Sequence, residues 1–119
     1  MRVMVIVRAT ADSEAGKMPT PELLEAMGKF NQALIEAGVT LDGGGLKDSS
    51  KGARVAFAGE GRTVTRGPFL NVNELMSGYW IWKVKSLDEA IDWVKRCPNP
   101  MPGPSQIEIR ELFEMEDFA

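Results

Sequence analysis

Two short runs of this chain carry large apolar residues on both faces, and they constrain the fold more than any motif does. Along Val3–Val7 a strand turns Val3, Val5 and Val7 to one side and Met4 and Ile6 to the other. Along Tyr79–Lys85, Trp80 and Trp82 oppose Tyr79 and Ile81. Runs that are apolar on both faces belong in the middle of a sheet that is covered on both sides. The rest of the chain must supply that cover.

Only two segments have the pattern to do so. Thr20 can cap a helix with Pro21 at its first position, where a missing N–H costs nothing. Leu23, Met27, Phe30, Leu34 and Ala37 then form one stripe, and Gly38 supplies the stop. Ser86 followed by Glu89 reads as a capping box for a second helix. Leu87, Ala90, Ile91, Val94 and Cys97 share its inner face, and Pro98 ends it.

The remaining segments complete the order. Residues 9–20 form a polar connection and residues 42–52 a glycine-rich loop. Residues 54–58 and 62–65 make a hairpin around Gly59-Glu60-Gly61, and Gly67-Pro68 breaks its second strand. Residues 70–77 connect to the strand at 79–85, the prolines of 98–104 mark an extended loop, and 106–113 alternates as a last strand. Strand, helix, hairpin, strand, helix, strand matches a ferredoxin-like βαββαβ plan if the hairpin strands and 79–85 run on as one antiparallel sheet. Two helices cover one face of such a sheet. The other exposes more apolar surface than a monomer ordinarily shows, so the expectation is a homodimer whose sheets pair face to face in an α+β barrel.

With 119 residues the chain has room for a single domain spanning 1–119. A formal charge of −3 argues against general nucleic-acid binding. Charge is segregated, however: Lys47, Lys51, Arg54, Arg62 and Arg66 enrich one segment, while Glu108, Glu111, Glu114, Glu116 and Asp117 enrich the C-terminus. This reads first as solvated surface, then as an anion site or attraction across an interface. A lone cysteine fits a reducing compartment, and Val3–Val7 is too short for a signal peptide or membrane span. The expected location is the cytoplasm, with no membrane partner.

The residues resemble the YCII-related family, also called the DGPF-domain family, over nearly the whole chain. The similarity runs through Pro21-Glu-Leu-Leu-Glu-Ala-Met-Gly-Lys-Phe-Asn31, Leu41-Asp-Gly-Gly-Gly-Leu46, Ser49-Ser-Lys-Gly52 and Gly67-Pro-Phe69. Its strongest block is Leu87-Asp-Glu-Ala-Ile-Asp-Trp-Val-Lys-Arg-Cys-Pro-Asn-Pro100, closed by Ile107-Glu-Ile-Arg-Glu-Leu-Phe113. The resemblance implies a small bacterial protein with the dimeric α+β barrel form of the ferredoxin-like fold. Arg66 stands where the family's turn motif begins with Asp, and Lys47 and Met101 stand where it often has His. The chain has no histidine, so the His–Asp pair suspected of catalysis in some members is absent.

Candidate chemistry is therefore narrow. Asp42, Glu74 and Tyr79 are the weak catalytic candidates, since carboxylates and a phenol could move protons without histidine. Arg66 and Lys47 favour an anion, and Asn71 and Asn73 add donors, so these four are the candidate ligand-binding residues. Asp42-Gly-Gly-Gly45 follows a helix where a phosphate loop would precede one, and reads as a flexible turn. Cys97, at a helix C-terminus, reads as packed. Neither a metal site nor a cofactor is expected. The leading functional expectation is a dimer that binds a small organic ligand, anions among the candidates, between helices and sheet. Its rivals are a cofactor-free isomerase, oxygenase or dehalogenase of the kind found on related barrels, and an accessory interaction protein.

Overall fold

The computed structural model describes residues 1–119. Its elements are β1 (Arg2–Arg8), α1 (Ala11–Glu14), α2 (Pro21–Glu36), β2 (Thr40–Gly45), β3 (Ala53–Ala58), β4 (Gly61–Arg66), β5 (Met76–Lys83), α3 (Leu87–Lys95) and β6 (Ile107–Glu111). Four strands form one antiparallel sheet in the order β2-β5-β1-β6, and β3 pairs with β4 as a separate ribbon. With α2 and α3 as crossovers this is a ferredoxin-like α+β fold.

The two-faced strands lie at the centre of the sheet, as their composition requires. Val3 sits opposite Trp82 and Val5 opposite Trp80, and these side chains face the helices. There Val3, Val5, Trp82, Phe30, Leu34, Val39, Val84 and Ala90 form the buried core. Phe30 organises it, presenting ring edges to Trp80, Trp82 and Trp93 at centroid distances of 5.9, 6.3 and 6.4 Å. Such contacts add to the area that the rings bury. Thr20 Oγ1 accepts the Leu23 N–H at 3.2 Å and starts α2, and Gly38 at φ 71 ends it.

Four expectations change. Residues 42–45, read as the start of a loop, belong instead to the edge strand β2, with Gly43 opposite Trp80 and Gly44 opposite Tyr79. Glycine gives no strand pattern to read, but the large rings of β5 provide the packing that β2 lacks. A Cβ on Gly43 would come within 2.9 Å of Trp80 Cδ1. The hairpin is therefore an insertion between β2 and β5 and does not continue the sheet. At α3, Ser86 Oγ accepts the Glu89 N–H at 3.1 Å, but the Glu89 carboxylate takes the Lys85 N–H, so the box is only half formed. Residues 9–20 also contain α1, capped by Thr10, whose Oγ1 accepts the Ser13 N–H at 3.3 Å.

Met4, Ile6, Tyr79 and Ile81 occupy the face away from the helices, flanked by Arg8, Glu108 and Arg110. No layer covers this face. Only 10 residues are buried, and the accessible surface is 8361 Å². A compact monomer of this mass exposes about 6400 Å², so about 2000 Å² is surplus. The radius of gyration, 16.3 Å, likewise exceeds the about 13.5 Å of a compact chain of this length. The molecule is a slab of 46 × 46 × 19 Å.

Candidate functional site

A hollow opens on the helix side of the sheet, at the β2 edge, with a volume of about 1050 Å³. Its origin lies in the glycines. Gly43, Gly45 and Gly78 face the helix layer from β2 and β5, so this part of the floor is bare backbone. Space filled by Trp82 and Val3 further along the sheet is left open here. Leu23, Met27 and Asn31 of α2 form one wall, and Trp80 closes the inner end. The turn at 16–20 and the loop at 99–102 form the remaining sides.

The loop is held in place by one side chain. Asn99 Oδ1 accepts from Met101 N–H at 3.0 Å and Ser105 Oγ–H at 2.6 Å, while its Nδ2 donates to Gly103 O at 2.9 Å. Thr10 Oγ1–H reaches Met101 Sδ at 3.4 Å, tying the loop to the start of α1. At the inner end, Trp80 Nε1–H donates to Asn31 Oδ1 at 2.9 Å, which fixes the indole and leaves the Asn31 amide N–H groups to the cleft. Thr40 Oγ1, also in the lining, is buried without a hydrogen-bond partner.

Charge sits at the rim: Lys17, Lys47 and Lys51 against Asp12 and Asp48. Asp48 is occupied, accepting the Ser50 N–H at 3.0 Å and the Ser50 hydroxyl, and these bonds hold its carboxyl below the usual carboxylate range. The neighbouring Glu14 carboxylate takes the Ser49 N–H at 3.0 Å and the Ser49 hydroxyl. Of the two rim acids, Asp48 is thus already engaged with other donors, and three lysines stand against two carboxylates. An apolar trough with a few polar atoms and a cationic rim suits an organic anion.

The sequence candidates divide around this cleft. Lys47 lines it. Tyr79 borders it by its main chain, because β5 alternation turns the ring to the open face opposite Gly44. Asp42, Arg66, Asn71, Asn73 and Glu74 lie outside. Asp42 Oδ1 accepts the Gly43 N–H at 2.8 Å, Asn71 Oδ1 accepts the Asn73 N–H at 3.1 Å, and Glu74 pairs with Arg54 at 3.5 Å. Asn73 gives its carbonyl to Arg8, and Arg66 ends the exposed strand β4. No three His, Cys, Asp or Glu side chains gather in metal-ligating reach. Cys97 is half-buried, and burial pushes its thiol up to about 11.

Sequence reading missed Asn31, Thr40 and the glycine floor. Asn31 on the inner stripe of α2 was the available signal, as was the spacing of Gly43 and Gly45, which puts both on one face of an extended chain.

A four-stranded antiparallel sheet, helices on one face and a trough at its edge define a small ferredoxin-like α+β protein. The family model of the YCII-related domain matches residues 1–116, and the chain belongs to that family. No curated protein matches it. No helix is long and apolar enough to cross a membrane.

Proposed function

We propose that this protein binds a small organic anion in the cleft between α2 and the β2 edge, as a homodimer paired through the Met4–Ile6–Tyr79–Ile81 face. The observation that carries the binding reading is the cleft itself. It joins a ligand-sized volume, an apolar wall of Leu23, Met27 and Trp80, free donors on Asn31 and a lysine rim. The ligand's apolar body lies along Trp80 and Met27, and its carboxylate or similar group meets Lys47 and Lys51. The lone cysteine supports a reducing, cytoplasmic setting.

Binding is favoured over cofactor-free catalysis because the proton-moving candidates do not face the trough. Asp42 and Glu74 are engaged outside it, and the Tyr79 ring is on the opposite face. The surplus surface of about 2000 Å² supports the dimer, since a standard interface buries about 800 Å² on each partner.

Benzoate provides a simple probe. Titrated into the protein it should change the fluorescence of Trp80 saturably, whereas benzamide, its neutral counterpart, should bind at least about tenfold more weakly. Replacing Lys47 and Lys51 by Met should abolish that preference, and Trp80→Phe should remove the signal. Equal response to benzoate and benzamide, or a response unaltered in the lysine variant, would sink the anion reading.

A further inference from the structure

Two exposed patches of this chain match in chemistry and are anchored at opposite ends of the sheet. The first is a face of the hairpin β3–β4. Register sets Ala53 against Arg66, Val55 against Val64 and Phe57 against Arg62, so these side chains share a face. Phe57 is 72% exposed and Val64 59%. A lone two-stranded ribbon is marginal in water and needs a surface to lie on. On the opposite face only Arg54 finds partners, lying 4.0 Å over the Phe69 ring and pairing with Glu74. Arg62 and Arg66, which edge the apolar strip, have no carboxylate partner.

The second patch follows β6. The Phe113 and Phe118 rings meet at a tilt with centroids 5.2 Å apart, and Met115 between them in the chain is 86% exposed. Glu111, Glu116 and Asp117 lie beside these residues in the chain, and none has a cationic partner. Each patch is thus an apolar strip edged with unpaired charge, positive on the hairpin and negative on the C-terminal segment.

The patches stand at opposite ends of the sheet. The hairpin base is fixed at the Arg8 end of β1, where Arg8 bonds Asn73 O and Ser49 Oγ accepts the Phe69 N–H at 2.8 Å. The C-terminal segment is fixed at the other end, where Arg2 Nε–H donates to Glu114 at 2.9 Å. The length of β1 sets these two anchors about 20 Å apart.

We propose that the hairpin of one copy docks on the C-terminal segment of a second copy, twice over in a two-fold dimer. This rests on the sheet-face pairing above and adds to it the contact that surrounds the face. A two-fold axis between the open faces, perpendicular to the strands, reverses one copy end for end. The Arg8 end of one protomer then meets the Arg2 end of its partner. The surplus surface is more than twice the about 800 Å² that one partner of a standard interface buries, enough for the sheet face and both arms.

Charge reversal with mixing tests this. Variant one carries Arg62→Glu and Arg66→Glu, and variant two carries Glu111→Lys and Glu116→Lys. Each alone sets like charges at both contacts and should weaken self-association by at least about tenfold in sedimentation equilibrium. Mixed in equal amounts they oppose unlike charges at both contacts, and a heterodimer should form at near wild-type strength. Hydroxyl-radical footprinting of the unaltered protein gives an independent reading that no folding defect can confound. Met115 should be oxidised far more slowly than Met18, which is 80% exposed. A wild-type dimer whose two variants self-associate unchanged, a mixture that fails to recover, or equal oxidation of Met115 and Met18 overturns the docking and leaves the face pairing standing. A wild-type monomer overturns both.

Discussion

Gly67 is the residue at which the fold tolerates least change. A Cβ built there would lie 1.7 Å from Ser49 O and 2.6 Å from Ser49 C, both backbone atoms that cannot swing aside. The turn before Phe69 thus lies directly on the 49–51 turn, with Ser49 Oγ accepting the Phe69 N–H and the Glu14 carboxylate behind it. Gly67→Ala should cost about 3 kcal/mol or more, lowering the melting temperature by more than about 10 °C in calorimetry. Cys97 shows a different kind of constraint. With its thiol at about 11, iodoacetamide at pH 8 should alkylate it about a hundredfold more slowly than an ordinary free thiol. The rate should climb steeply as the pH passes 10. Sequence position suggested an inert cysteine because of the helix terminus; burial is the cause the structure provides. Thr40 was hidden for a related reason, since a polar residue ahead of a glycine run does not reveal whether it faces solvent or a cleft.

At the scale of elements, strands and helices with side-chain periodicity were legible. β1 and β5 declared themselves by their β-branched and aromatic runs, and α2 by its stripe from Leu23 to Leu34. β2 was not legible, because an edge strand of Thr-Leu-Asp-Gly-Gly-Gly owes its place to the rings of its neighbour. That one misreading concealed the cleft, whose floor is the same glycines. The C-terminal segment depends on a single ion pair. Arg2, bonded to Glu114 at 2.9 and 3.2 Å, holds that carboxyl below the ordinary glutamate range. A carboxyl with a depressed folded value stabilises its contact above the unfolded value and loses that contribution as the pH falls through the folded one. Acidification through the range below pH 4.5 should therefore release the segment. The Arg2 Nε–H resonance should shift across that range in the unaltered protein, while Glu114→Gln should show no such transition.

As a whole molecule the chain is a thin slab with its core on one side. Val3, Val5 and Trp82 are fully buried beneath the helices, while Met4, Ile6, Tyr79 and Ile81 have only their flanking ion pairs beside them. The apolar character of both faces was already plain in the sequence. What covers the second face was not, because no other element of this chain lies over it. Family membership fits this plan without fixing a ligand, and the ligand reading comes from the cleft alone. That the chain is half of a working molecule is tested most directly by sedimentation velocity at micromolar concentration, with Ile6→Glu as the companion variant. The unaltered protein should sediment at twice the 13.1 kDa of one chain and the variant at 13.1 kDa. An unaltered protein that sediments at 13.1 kDa would contradict the pairing.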